Sequence, residues 1–357
     1  MTDTTIEVAV TATLSGSGFA LPPAMRQQDL WDGFFAEFYD HSRVARRAWE
    51  RAGVTTRHGV ADPRVEDLSS WSTGERMRRF LSEAMPLGKS ALDDALADAG
   101  TRADEIDALM VVSCTGYATP GLDVLLARDL GMSPAAQRLH IGHMGCYAAL
   151  PALATAADAA NARDQRVALL SVELTSLHIQ PPSDDPEQMV AHALFADAAA
   201  AVTVLPDAPP GSGLEVVDLA ARTDSSHADL MSWDVTDLGF RMRLSPRVPV
   251  VLREHVAATV GELLGRHGLG VDDVAGWAIH PGGPRIVDVV ADRLGLSDAA
   301  VASSRAVLAE RGNCSSATVL MILDRLLGDR DLRPGDPVVA MAFGPGLTLY
   351  TALLRAR

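Results

Sequence analysis

The sequence predicts an α/β protein built from two similar lobes, and three observations carry that prediction. Short apolar runs suited to buried strands alternate with alanine- and leucine-rich stretches suited to helices along the chain. A glycine followed by a chemically distinctive residue opens a helix-forming stretch twice, at Gly145-Cys146 and at Gly312-Asn313, and each time an apolar strand follows. A Pro/Gly/Ser-rich stretch, Pro206 to Gly213, separates the two occurrences. Self-similarity at so long a period points to a duplicated lobe and not to a solenoid of short repeats. The expected lobes are 1–209, carrying the cysteine, and 210–357, carrying His280 and Asn313.

In chain order, Ile106 to Ser113 (IDALMVVS) reads as a buried strand, Ala148 to Ala160 as an alanine-rich helix, and Val167 to Val172 (VALLSV) as a second strand. The run LFADAAAAVTV, from Leu194, reads as a strand with a small-residue start. In the second lobe Val274 to Ile279 reads as a strand, Ala317 to Leu327 as a helix and Pro337 to Ala342 as a strand, and the turn Gly344-Pro345-Gly346 leads into the last strand. A Gly-x-Gly near the N-terminus lacks the rest of a dinucleotide fingerprint, so nucleotide binding is not expected.

Composition narrows the function. With 357 residues, 48% of them hydrophobic, the chain can bury a large core. No run of about 18 apolar residues exists, and the N-terminus lacks a basic leader region, so neither a membrane span nor export is expected and the protein is placed in the cytoplasm. A net charge of -15 argues against a nucleic-acid partner. Cys114, Cys146 and Cys314 are too few and too scattered for a disulfide framework, and no zinc-ligand spacing occurs, so each is core or chemistry.

Lys89 is the only lysine, and the arginines cluster once, as Arg43, Arg46, Arg47, Arg51 and Arg57. The first four follow helical spacing and would share one face, fit for a polyanion such as the phosphates of coenzyme A. The alternative is a solvated face partly paired with Glu50.

Cys146 falls at the first turn of a helix, where free N–H groups and the helix dipole favour a thiolate and lower its pKa; the plainer reading is a small buried hydrophobe. His280 follows an apolar strand and precedes Pro281-Gly282-Gly283-Pro284, at the sheet edge where α/β proteins bind ligands. Asn313 takes in the second lobe the slot that Cys146 takes in the first. If the lobes pack about a pseudo-twofold axis, the thiol, imidazole and amide converge, an arrangement suited to acyl transfer and carbanion formation. Singly, Asn313 reads equally as a helix cap and His280 as a turn anchor.

The blocks GHMGCYAA (142–149), ALFADAAAA (193–201), IHPGGPRIVD (279–288), RGNCSSATVLMILD (311–324) and AFGPGLT (342–348) resemble, in order, the signature blocks of type III polyketide synthases, the chalcone synthase-like family. The resemblance implies the thiolase fold, two duplicated lobes in a five-layered αβαβα architecture, working as a homodimer on CoA thioesters without a cofactor. It implies that Cys146 holds the growing acyl chain, that His280 keeps the thiolate ionised, and that His280 and Asn313 stabilise the enolate of decarboxylated malonyl-CoA. Arg47, Arg51, Gly282 and Gly283 match CoA contacts, Phe195 a gatekeeper, and Gly344, Pro345 and Gly346 the cyclisation wall.

Cys114, Thr115 and Ser315 match cavity positions, and Thr119 a loop near the dimer boundary. Departures set the substrate: Met242 stands where a second gatekeeper phenylalanine is common, Trp233 where plant enzymes have glycine and His178 where they have threonine. The resemblance thus implies a softer wall at Met242 and, from Trp233 and His178, a bulkier cavity floor that disfavours a flavonoid-sized product. Cys314 replaces a methionine and is expected to pack. The resemblance leans toward bacterial alkylresorcinol and alkylpyrone makers. A ketoacyl-ACP synthase III-like enzyme would share the three catalytic residues but not His-Pro-Gly-Gly or Gly-Pro-Gly, and a silent partner subunit would not need to keep all three.

Overall fold

In a computed structural model, residues 11–209, 211, 213–329 and 332–357 are described. Pro210 and Ser212, within the expected join of the lobes, lie outside the described residues. Among the described residues nine strands form one mixed sheet. From edge to edge they are Gly276–Ile279, Pro337–Gly344, Thr348–Ala356, Leu214–Thr223, Thr13–Ala20, Asp197–Leu205, Val167–Leu174, Ala108–Val112 and Gln137–Ile141. The last five and the first four are the two halves of this sheet, and they meet where Thr13 and Leu14 pair with Glu215 and Leu214.

The two helices expected from the repeated glycine motif, Ala149–Arg163 and Ala317–Asp329, lie between these halves and touch strands of both. Small side chains make this possible: Ala152, Ala156 and Ala160 on one helix and Ala198 and Ala200 on the facing strand are all fully buried. The long helix Thr73–Asp98 covers one outer face, and Val248–Gly265 with Pro284–Leu294 covers the other. Helix, sheet half, helix, sheet half, helix is the five-layered order, with one apolar core in the middle and one beneath each outer layer.

The N-terminal Gly-x-Gly has a packing role. A Cβ on Gly16 or Gly18 would lie 2.4 or 2.3 Å from the carbonyl oxygens of Ala95 or Ala91. These glycines let the long helix lie directly on its strand. Ser72 starts that helix with a capping box, its side chain and that of Glu75 each bonding the other's backbone N–H.

Most boundaries agree with the sequence pattern, with one difference. Leu194 ends a helix, Pro186–Leu194, so the strand begins only at Asp197. The helix after Asn313 begins at Ala317 as expected, and Asn313 itself pairs as a short bridge with Phe195.

Candidate active site

Cys146 sits in the 3-10 turn Gly145–Tyr147 that leads into the central helix. Gly145 turns there with φ +73°, and a Cβ on it would lie 2.8 Å from the Pro345 ring, so the nucleophile turn packs on the Gly344-Pro345-Gly346 loop. His280 follows the strand Gly276–Ile279, its backbone N–H bonded to Met341 O at 2.8 Å. Asn313 is held from both sides: its N–H donates to Leu194 O, and its carbonyl accepts from Ala196 N, each at 2.9 Å.

These three residues line one cavity of about 720 Å³. Buried Cys146, His280 and Asn313 lie at its inner end with Phe195 and Met242, while exposed Arg43, Arg47, Arg51 and Arg285 ring its mouth with Gly282 and Gly283 alongside. The arginine cluster of the sequence therefore splits. Arg46 faces away, pairs with Glu50 at 2.8 Å and lies over Trp31, and Arg57 is buried.

Asn313 Oδ1 accepts the N–H of Ser315 at 2.9 Å, which fixes the amide and leaves its NH₂ to Cys146. His280 is fully buried, and among the described residues neither ring nitrogen has a partner. An imidazole with both nitrogens free inside a cavity is a site waiting for a donor and an acceptor from elsewhere.

The expected low thiol pKa is not what the environment gives. Burial pushes Cys146 up to about 12, against the opposing pull of hydrogen bonds from Ser315 and Asn313. Burial likewise brings His280 down to about 3. The turn's N–H groups count for less than the loss of water, so the resting pair is thiol and neutral imidazole.

Behind Cys146 lies a second, far smaller chamber of about 20 Å³, lined by Cys114, Thr115, Phe195, Trp233, Met242 and Ser315 among others, with Pro345. Trp233 is pinned by an Nε1–H bond to Cys114 O at 2.7 Å. His178 is not at the cavity surface beside Cys146. It stacks on Phe240 at 4.5 Å between ring centroids; its Nδ1 accepts from Phe240 N, so its Nε2–H donates to Thr115 O at 2.6 Å. Burial holds its pKa near 4, so it backs the wall as a neutral ring.

Thr119 lines none of the cavities described here. Gly116 lies flat on Phe80, where a Cβ would come within 2.1 Å, and the loop then runs outward to leave Thr119 exposed. Cys314 is buried in the central core, as expected of a packing residue.

Glu173, just beyond the apolar run Val167 to Val172 and inside the strand Val167–Leu174, is a further buried polar residue that no motif marks. This carboxylate is fully buried and accepts from Thr115 Oγ1 at 2.7 Å, Ser316 Oγ at 2.6 Å and Cys114 N at 3.1 Å. Burial raises its pKa, and those bonds counter it. Asp197 is likewise buried, holding Val60 N, Thr175 and Ser176. An acidic residue at the edge of an apolar run was the available signal.

Residues 10–208 match the chalcone and stilbene synthase N-terminal domain, and residues 223–357 match the C-terminal domain. The chain belongs to the chalcone and stilbene synthase family. This type III polyketide synthase is 36% identical over 87% of its length, and 83% of the relative's, to the 1,3,6,8-tetrahydroxynaphthalene synthase of Streptomyces peucetius subsp. caesius. It is 32% identical to an alpha-pyrone synthesis polyketide synthase-like protein of Mycobacterium tuberculosis, over 91% of this chain and 86% of that one.

The crystal structure of the Streptomyces coelicolor tetrahydroxynaphthalene synthase superposes with a TM-score of 0.91 at 28% identity, covering 97% of this chain and 99% of that chain. A polyketide synthase of the brown alga Ectocarpus siliculosus gives the same TM-score and identity over 99% and 100%. Naphthalene and pyrone makers are thus similarly distant from this synthase.

Proposed function

We propose that Cys146, His280 and Asn313 carry the condensation cycle, and the observation that carries this reading is the fully buried, unpartnered His280 sharing one cavity with Cys146 and the Asn313 amide. In the proposed cycle the Cys146 thiol gives its proton to His280 as sulfur attacks the starter thioester, and the CoA thiolate leaves by taking that proton back. Malonyl-CoA then loses carbon dioxide. The enolate oxygen is held by the Asn313 NH₂ and by His280 N–H, two donors aimed at developing charge in a water-poor site. The enolate carbon attacks the Cys146 thioester, the Cys146 thiolate departs, and the chain is longer by two carbons. No cofactor is needed beyond the thioesters.

The mouth supports coenzyme A as the carrier. Among the described residues Arg43, Arg47, Arg51 and Arg285 pair with no carboxylate, although the chain carries a net charge of -15. Unpaired guanidinium groups in an acidic protein are suited to phosphates. The small inner chamber and the Trp233, His178 and Phe240 packing support a product smaller than a flavonoid, a resorcinol or pyrone among the choices. A homodimer is supported by Leu139 on the edge strand Gln137–Ile141 and Val124 on the helix Leu122–Asp129 packed against it, large apolar side chains left exposed.

The test is to incubate the protein and a Cys146→Ala variant with malonyl-CoA and a panel of short, long and aromatic acyl-CoAs, and with the matching carrier-protein thioesters, reading products by mass spectrometry. Pyrones or resorcinols from CoA thioesters, absent from the variant, are the expected result. A protein that acylates Cys146 yet never extends, or extends only from carrier protein, would overturn the reading.

A further inference from the structure

The gate residue Phe195 immediately follows the helix Pro186–Leu194, whose last carbonyls have no partner within the helix. Each is held from outside. His192 O accepts from Arg57 Nη1 at 2.6 Å, Ala193 O from Arg57 Nη2 at 3.2 Å and from Gln27 Nε2 at 2.8 Å, and Phe195 O from Arg57 Nη1 at 2.9 Å. Leu194 O, in the midst of these, accepts the backbone N–H of Asn313 at 2.9 Å. One guanidinium thus clamps the segment that carries both the gate side chain and the backbone partner of the amide facing Cys146.

Arg57 commits its whole donor set to this task. Nε and Nη2 also donate to Gln27 Oε1, at 2.9 and 2.6 Å, so the five N–H groups of a guanidinium are all used. Its charge is buried among backbone carbonyls at the negative end of the gate helix, and among the described residues no carboxylate is in direct contact with it. Its guanidinium carbon lies 4.7 Å from the ring centroid of Trp49, on the helix Arg43–Glu50 at the cavity mouth. Gly312, next to Asn313, closes the packing: at φ +75° a Cβ on it would lie 2.8 Å from Ala196 Cβ and 3.4 Å from Arg57 Cβ.

We propose that Arg57 is a positioning residue that ties the CoA-facing helix to the gate, holding Phe195 at the cavity boundary and, through the Leu194 to Asn313 pairing, the Asn313 amide in register with Cys146. It touches no reacting atom. This rests on the catalytic roles given above to Cys146 and Asn313.

The test compares the wild type with Arg57→Lys, which keeps the charge but offers three donors in place of five, and with Gln27→Leu, which removes the acceptor that orients the guanidinium. Four quantities are read: Cys146 acylation by mass spectrometry, kcat and KM for malonyl-CoA, the share of products that are truncated pyrones, and the melting temperature. Extension in Arg57→Lys is expected to fall about tenfold to a hundredfold, the scale of a small misplacement of catalytic groups. Starter loading and KM stay near wild type, and truncated products rise. Gln27→Leu moves in the same direction by less, and carries the test if the lysine variant does not fold.

A native product distribution at lower yield, or a lower melting temperature alone, would reduce Arg57 to a structural residue and overturn the proposal. A wild type that makes no polyketide would instead overturn the underlying assignment, so the two failures are distinct.

Discussion

Replacing Trp233 by alanine should lengthen the product. The chamber behind Cys146 holds about 20 Å³, room for about one water molecule. A neighbouring void of about 50 Å³, lined by His178, His192 and Phe240, shares Trp233, Phe195, Met242 and Thr175 with it. Trp233 is therefore part of a partition between the two. Removing its indole merges them into a space approaching the ~150 Å³ that accepts a benzene in other apolar cores, enough for at least one further two-carbon unit.

The cost in stability is moderate. A fully buried Trp→Ala change costs at least about 3 kcal/mol. Trp233 is only half-buried, so roughly 2 kcal/mol is expected, with about 1 kcal/mol more for the Cys114 carbonyl that loses its donor. The assay is product mass at fixed starter and malonyl-CoA, alongside a melting curve expected to shift down by about 5 °C. A variant that melts lower yet yields the same chain lengths in the same ratio would show that Trp233 does not limit the growing chain.

Three further outcomes follow from the site. Asn313→Asp keeps the acceptor for Ser315 N–H but removes the donor facing Cys146; decarboxylation of malonyl-CoA should fall about 10²–10³-fold while starter loading survives, and equal loss of both would point to misfolding. With Cys146 pushed up to about 12 and His280 down to about 3, alkylation of the resting thiol by iodoacetamide should rise about tenfold per pH unit from pH 7 to 9; a plateau already reached below pH 7 would establish a thiolate–imidazolium pair instead. Alanine at Arg47, Arg51 or Arg285 should raise KM for malonyl-CoA by up to about tenfold each at low salt, with kcat unchanged, and an unchanged KM would remove that arginine from the CoA site.

The strands, the central helices, the two-lobed plan and the trio Cys146, His280 and Asn313 were legible in the sequence because each is marked locally. Periodicity marks the buried faces, and a glycine or a strand end marks where the chain can bring a reactive side chain to a sheet edge. Burial and partnership were not legible, because they depend on residues distant in the chain. Arg46 and Arg47 are neighbours, yet one packs over Trp31 and the other lines the cavity. His178 reads as a cavity wall but stands one layer behind it, fixed by Phe240 and Thr115.

The thiol shows the limit most clearly. Its position before a helix is local and implied a lowered pKa, whereas its desolvation is tertiary and runs the other way. Sequence alone determined which groups are candidates, since the chemistry of each residue and the period of each element are written along the chain. Only the folded structure decided their protonation, the size of the chamber and the bonds from Arg57 to the carbonyls of His192, Ala193 and Phe195, because dielectric, volume and carbonyl partners are properties of the packed interior.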